Sequence, residues 1–142
     1  MVAGSFASTF HGTPRSTQDI DLVIDPTADA LTTFVANLPS REYYVSDDAA
    51  RDALLRRSQF NVIDMATGWK ADLIVRKARP YSIEEFRRRA PQRILGIDVF
   101  VATPEDTLLT KLEWAAMSGS ERQLRDAAGI LDVKREELDR AY

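Results

Sequence analysis

The sequence predicts a mixed α/β sheet flanked by helices, with a helical C-terminal part, and three observations carry that reading. Alternating, strand-like segments interleave with helical ones; two strand segments are joined only by Thr67-Gly68; and from about residue 103 onward the pattern is helical. With 142 residues and no internal repeat, low-complexity tract or linker, 1–142 reads as a single domain with a sound but modest core.

Gln18–Asp25 alternates cleanly and is a strand that Pro26 ends. Thr27–Leu38 is helical, with Leu31, Phe34, Val35 and Leu38 on one face. Glu42–Ser46 is a short strand of aromatic and branched residues. Ser46 then caps a helix to about Arg57, with Asp47 and Asp48 favourable in its first turn. Gln59–Ala66 and Trp69–Arg76 form a hairpin. A two-residue turn at Thr67-Gly68 places Ile63 opposite Asp72 and turns Asp64 to the other face. Ser82-Ile83-Glu84-Glu85 is a capping box for a helix to about Arg89, and Ile97–Ala102 is a further strand. Thr103-Pro104-Glu105-Asp106 opens a helix to about Met117, with Pro at its first position. Ser118-Gly119-Ser120 breaks it, Glu121–Leu131 is the next helix, and Lys134–Tyr142 begins a third. Trp69 and Trp114 read as core residues.

Bulk properties remove several classes of function. A net charge of −3 gives no global basic field for nonspecific nucleic-acid binding. No apolar run reaches membrane-spanning length and no signal peptide opens the chain, so no membrane partner is expected. The absence of cysteine excludes disulfides and thiolate zinc sites and fits a cytoplasmic setting. His11 is the single histidine, which rules out a histidine-rich metal site.

The chemistry lies in a few polar residues. Asp19 and Asp21 project from one face of their strand, with Ile20 and Leu22 on the other. Two carboxylates that close repel unless a cation sits between them, and hard divalent ions with oxygen ligands, Mg²⁺ above all, are the natural occupants. Asp64 and Asp72 compete to be a third acid. The hairpin puts the two on opposite faces, and Asp72, flanked by Ala71 and Leu73, is the choice, with Lys70 beside it on the same face; a one-residue slip would reverse it. Gly4-Ser5 is a small-residue turn into a helix start, where backbone N–H groups and the Ser hydroxyl can meet a phosphate. Phosphate grip plus an acid pair points to nucleotide chemistry.

The string Val2 to Ile24, VAGSFASTFHGTPRSTQDIDLVI, resembles the signature of the DNA polymerase β-like nucleotidyltransferase superfamily. That signature is a hydrophobic strand, Gly-Ser, a spacer, Asp-hydrophobic-Asp on the next strand, and a third acid later. Gly12-Thr13-Pro14-Arg15-Ser16-Thr17 before Asp19-Ile20-Asp21 is similar to the minimal bacterial members, including the toxin-like AbiEii group. The resemblance covers Val2 to about Leu131 and implies a nucleotidyltransferase fold. It implies a two-metal Mg²⁺ site on Asp19, Asp21 and Asp72, and triphosphate contacts from Gly4, Ser5 and Arg15. A lysine in the helix after the last strand, here Lys111, would reach the triphosphate; its plainer fate is a solvated helix residue. Lys70, two before Asp72, matches the group's lysine-x-acid pattern. Arg122 and Asp126 match its basic-then-acidic motif, although Arg125 stands where that motif has lysine, and the two can simply pair along their helix. The basic stretch from Arg76 to Arg93 reads as a solvated face or as a rim for an acceptor RNA or triphosphate.

The implied activity is transfer of a nucleoside monophosphate from a nucleoside triphosphate to an RNA or protein hydroxyl, in the setting of a toxin–antitoxin pair. The alternative is an inactive nucleotide-binding or antitoxin-type partner. Relative to the family both ends look clipped: only Met1-Val2-Ala3 precedes Gly4. A missing first helix would leave a sheet face for a cognate partner or a second copy.

Overall fold

The structure is a computed structural model and describes residues 1–139 and 141–142. Its described residues form two compact units, Gln18–Phe86 and Met1–Thr17 with Arg87–Tyr142. Both are mixed α/β.

In the unit Gln18–Phe86, β2 (Asp19–Ile24) runs parallel to β5 (Lys70–Val75), β5 is antiparallel to β4 (Gln59–Asp64), and β4 is antiparallel to β3 (Tyr43–Val45). Helices α2 (Ala28–Asn37) and α3 (Asp47–Arg56) cover one face. Ser46 caps α3 as expected, and Thr27, expected inside its helix, caps α2. The Thr27 hydroxyl accepts from the Ala30 N–H at 3.2 Å, and Ser46 accepts from Ala49 at 3.2 Å. Leu31, Ala50, Ala53, Phe60, Val62, Leu73 and Val75 make the core. These strand residues alternate with polar ones, so the opposite face of the same sheet carries Asp19, Asp21, Asn61, Lys70 and Asp72.

The hairpin turn differs from expectation. Asp64 N–H donates to the Trp69 carbonyl and Gly68 N–H to that of Asp64, so Met65–Gly68 forms a four-residue loop. Asp64 drives this: its Oδ1 accepts from the N–H groups of Ala66 and Thr67, both at 2.9 Å. The hydrogen bonds from Thr67, then Ala66, hold the Asp64 carboxyl below the usual range. Asn61, not Ile63, therefore stands opposite Asp72.

In the second unit, β1 (Val2–Ala3) pairs parallel with β7 (Ile97–Val101), and β7 pairs antiparallel with β6 (Ala90–Ile94). Helix α1 (Gly4–His11) packs with α5 (Pro104–Ser118) and α6 (Glu121–Lys134) around Ala7, Ala115, Ala127 and Ile130. Strand β6 was not expected. It follows α4 (Pro80–Arg88), in which the chain passes from one unit to the other and which starts before the expected Ser82 cap. Ser82 is buried inside α4 and its hydroxyl receives a bond from Arg79 Nε at 2.9 Å.

Asp106, expected as a helix-start residue, is fully buried at the head of α5. It accepts from Arg88 Nη2 at 2.5 Å, from the Thr103 hydroxyl at 3.0 Å and from the Tyr142 hydroxyl at 2.6 Å. The expected third C-terminal helix is absent among the described residues, Arg140 lying outside them. Helix α6 continues to Lys134, and turns and bends follow at 135–138. Tail residues instead bond back to α5: Asp139 N–H meets Glu105, and Tyr142 meets Asp106. Trp69 and Trp114 are also not core residues, being 51% and 50% exposed. No helix among the described residues is long and apolar enough to cross a membrane.

Candidate active site

The sheet register settles where the acids stand. Across the parallel β2–β5 pair, Asp19 is opposite Lys70 and Asp21 is opposite Asp72. All four share a face, as the alternation requires. The Asp72 side chain is nearly buried at 11% exposure, whereas Asp19 is 46% exposed. Asp64 faces away and is spent on its turn.

Two neighbours satisfy Asp72. Asn61 Nδ2 donates a short hydrogen bond to its Oδ1, and Lys70 Nζ lies 3.1 Å from its Oδ2. The same ammonium is 3.8 Å from Asp19 Oδ2. Its hydrogen bond to Asp72 first, helped by the charges of Asp72, Asp19 and Asp21, raises the Lys70 pKa against the opposing effect of burial. A two-residue turn sets Ile63 where Asn61 stands, so the turn hides Asn61; the polar alternation Gln59, Asn61 is the signal the sequence holds for it.

The donor set suits a hard cation, since Asp19, Asp21 and Asp72 offer only carboxylate oxygens. The seated Lys70 ammonium shows that the face accepts positive charge. No three His, Asp or Glu side chains converge as a metal cluster among the described residues.

The remaining expected residues lie in the other unit. Gly4 starts α1 with φ of +56°, a conformation that costs glycine little, and Ser5 follows in the first turn. The Ser5 hydroxyl accepts from Arg15 Nη2 at 2.6 Å. Arg15 also grips Asp126 with two bonds, Nε to Oδ1 at 2.8 Å and Nη2 to Oδ2 at 3.0 Å. Lys111 Nζ donates to Asp126 Oδ2 at 2.7 Å, and the Ser8 hydroxyl adds a longer bond at 3.4 Å.

Lys111 is therefore not a solvated helix residue; its side chain is 4% exposed, beside an Asp126 carboxylate that is 6% exposed. Burial alone would raise the Asp126 pKa, but the hydrogen bonds and charges of Arg15 and Lys111 outweigh it and hold the group at about 2. Arg122 is exposed and takes no part, so the expected i,i+4 pair with Asp126 does not form. Backbone proximity makes the cluster possible. A Cβ on Gly12 would stand 2.8 Å from the Gly129 carbonyl carbon, so only glycine lets the end of α1 lie against α6, one turn from Asp126. His11 is buried with Nε2 2.7 Å from the Ala102 carbonyl. Burial, then the Lys134 charge, lowers its pKa against the carbonyl hydrogen bond and the Glu105 charge.

No family model matches the sequence, and no curated protein matches it. Solved structures do. The chain is similar to the lincosamide antibiotic adenylyltransferase LnuA in its lincomycin-bound form, with a TM-score of 0.58 and 11% identity, over 93% of this chain and 85% of that one. It is also similar to an antigenic nucleotidyltransferase-like protein from Paracoccidioides brasiliensis, with a TM-score of 0.58 and 18% identity, over 92% of this chain and 66% of that one. At these identities the likeness concerns architecture, and the mixed α/β fold is similar to that of nucleotidyltransferases.

Proposed function

We propose that the chain is a metal-dependent nucleotidyltransferase that moves a nucleoside monophosphate from a nucleoside triphosphate to a hydroxyl group. The observation that supports this best is the pairing of Asp21 with Asp72 in register, with Asp19 on the same face. A sheet face bearing three acids is costly to keep unless they hold a cation. Asp19, Asp21 and Asp72 would hold Mg²⁺, two ions in all. Bound there, Mg²⁺ would supply charge neutralisation of the entering and leaving oxygens.

The chain's own groups have separate tasks. Asp72, the most sheltered of the acids, takes the proton of the attacking hydroxyl. The hydroxyl oxygen bonds to the α-phosphorus in line, the bond to the β-phosphate oxygen breaks, and pyrophosphate leaves. We assign the β- and γ-phosphates to Gly4, Ser5, Arg15 and Lys111. Two cations meet one carboxylate at Asp126, which leaves an excess positive charge suited to an anion. Asp126 holds those cations and is not a proton acceptor, since it stays ionised down to about pH 2. For the acceptor we propose an RNA or protein hydroxyl in an AbiEii-like, toxin–antitoxin setting, with a cognate partner or a second copy of the chain. The lincomycin-bound neighbour motivates a small-molecule hydroxyl as a further arm of the test.

The test is incubation with each α-labelled nucleoside triphosphate and Mg²⁺, offering total RNA, total protein and lincomycin as acceptors. Label should move with the native chain and not with Asp19→Ala or Asp21→Ala. Undiminished transfer by either variant would reject the assignment. A second reading, a nucleotide-binding module without turnover, is favoured by one observation: an ammonium already sits between Asp19 and Asp72. Triphosphate binding with no transfer to any acceptor would select it.

A further inference from the structure

We propose that Lys70 is a tethered counter-ion of the acidic face, which holds Asp19 and Asp72 together when no divalent ion is bound and must withdraw for one to enter. This rests on the reading of Asp19, Asp21 and Asp72 as metal ligands. Three observations lead to it. The β2–β5 register sets Lys70 directly opposite Asp19 and two residues before Asp72 on the same face, so its side chain starts out beside the acids. Its ammonium reaches both, at 3.1 Å from Asp72 and 3.8 Å from Asp19. Among the described residues the three acids do not converge as a metal cluster, and the ammonium stands between two of them.

An ammonium and a divalent ion cannot share this space. N–H···O contacts of about 3 Å suit the present arrangement. Mg²⁺ demands oxygens at about 2.0–2.1 Å, so the carboxylates must close in and the ammonium must leave. Lys70 is 37% exposed on a flexible four-carbon stem, which gives it somewhere to go. Ion entry is thus a cation exchange. Its affinity is lowered by the pair that must be broken, and the acids avoid mutual repulsion while the ion is absent.

Mn²⁺ binding to the purified chain, read from the free-ion EPR signal without substrate, tests this. Lys70→Met removes the competitor and is expected to tighten Mn²⁺ binding about tenfold. Lys70→Gln should act in the same direction, and Lys70→Arg, which keeps the charge, should not. Without metal, Lys70→Met should melt below wild type, and added Mn²⁺ should raise its Tm by more than it raises that of wild type. Equal Mn²⁺ affinity in wild type and Lys70→Met, with binding still weakened by Asp21→Asn, would overturn the role of Lys70 alone. No saturable binding in any variant, or binding indifferent to Asp21→Asn, would overturn the metal-site reading and this inference together.

Discussion

Replacing Asp126 with alanine should be among the most damaging single changes in the chain, and the reason is electrostatic. Lys111 is 4% exposed and finds its counter-charge in Asp126, as Arg15 does through two bonds. Without the carboxylate, an ammonium is left buried with no partner, and breaking a buried pair from one side costs about 3–5 kcal/mol. Removing the buried Lys111–Asp126 pair with Lys111→Met and Asp126→Leu should recover most of that, because a buried pair replaced by apolar groups is often close to neutral and Arg15, 29% exposed, can turn to solvent. Urea unfolding followed by far-UV circular dichroism measures both. At about 2 kcal/mol/M for a chain of this size, the single variant's midpoint should fall by about 1.5–2.5 M and the double variant's by under 1 M. A single-variant loss below about 1 kcal/mol, or a double variant as unstable as the single, would refute the argument. The pH dependence follows from the same pair. With its folded pKa depressed to about 2, Asp126 contributes stability that is fully present above its ordinary value of 3.8 and lost as pH falls towards 2.

Tyr142 tests the Asp106 cluster. Burial first, and then the Asp106 hydrogen bond, push its hydroxyl up to about 12, so one of the four tyrosines should ionise late in an absorbance titration, and Tyr142→Phe should delete that step. Because the folded pKa is raised, the associated stability is complete below pH 10 and lost as pH rises through 12. His11, the only histidine, should give a single imidazole resonance titrating below 6.5 by NMR. Its pKa is depressed on folding, so it stabilises above 6.5 and ceases to as pH falls through the folded value; a resonance titrating above 6.5 would contradict the buried placement. Gly12→Ala should destabilise by about 1–3 kcal/mol in thermal melts, since its Cβ would meet Gly129 backbone at 2.8 Å; an unchanged Tm would mean that α1 and α6 can part at no cost.

Legibility followed the range of the interactions. Caps, alternation and breakers act over a few residues, and Thr27, Ser46, Thr103 and Gly119 mark helix ends where local chemistry puts them. Strand β6 carries no such local mark, because Pro91 interrupts its run of strand-forming residues. At the end of the β1-β7-β6 set, a proline missing its N–H donor does little harm. Its turn also carried a weak signal, for Leu95 adopts φ of +51° beside Gly96 at +82°, where asparagine would be the expected partner. The Asp126 cluster was illegible for a different reason. The local rule offered Arg122 as partner, whereas the buried carboxylate is claimed by Arg15 and Lys111 from elements far away in sequence.

The acidic face survived a register error because of parity. Taking the turn as two residues rather than four moved every β4–β5 pairing by two, from Ile63 to Asn61 opposite Asp72. Side chains repeat every second residue, so an even slip changes partners without changing faces, and Asp72 stays with Asp19 and Asp21. An odd slip would have brought Asp64 to the face instead. The distinction has a consequence for the chemistry. An apolar Ile63 would leave Asp72 with Lys70 alone, but Asn61 adds an amide donor that fixes the orientation of its carboxylate. Asn61→Ile, which recreates the expected neighbour, should therefore leave the core face untouched while loosening Asp72. The expected result is an unchanged fold by circular dichroism with weakened Mn²⁺ binding; unaltered binding would show that Asp72 needs no second partner.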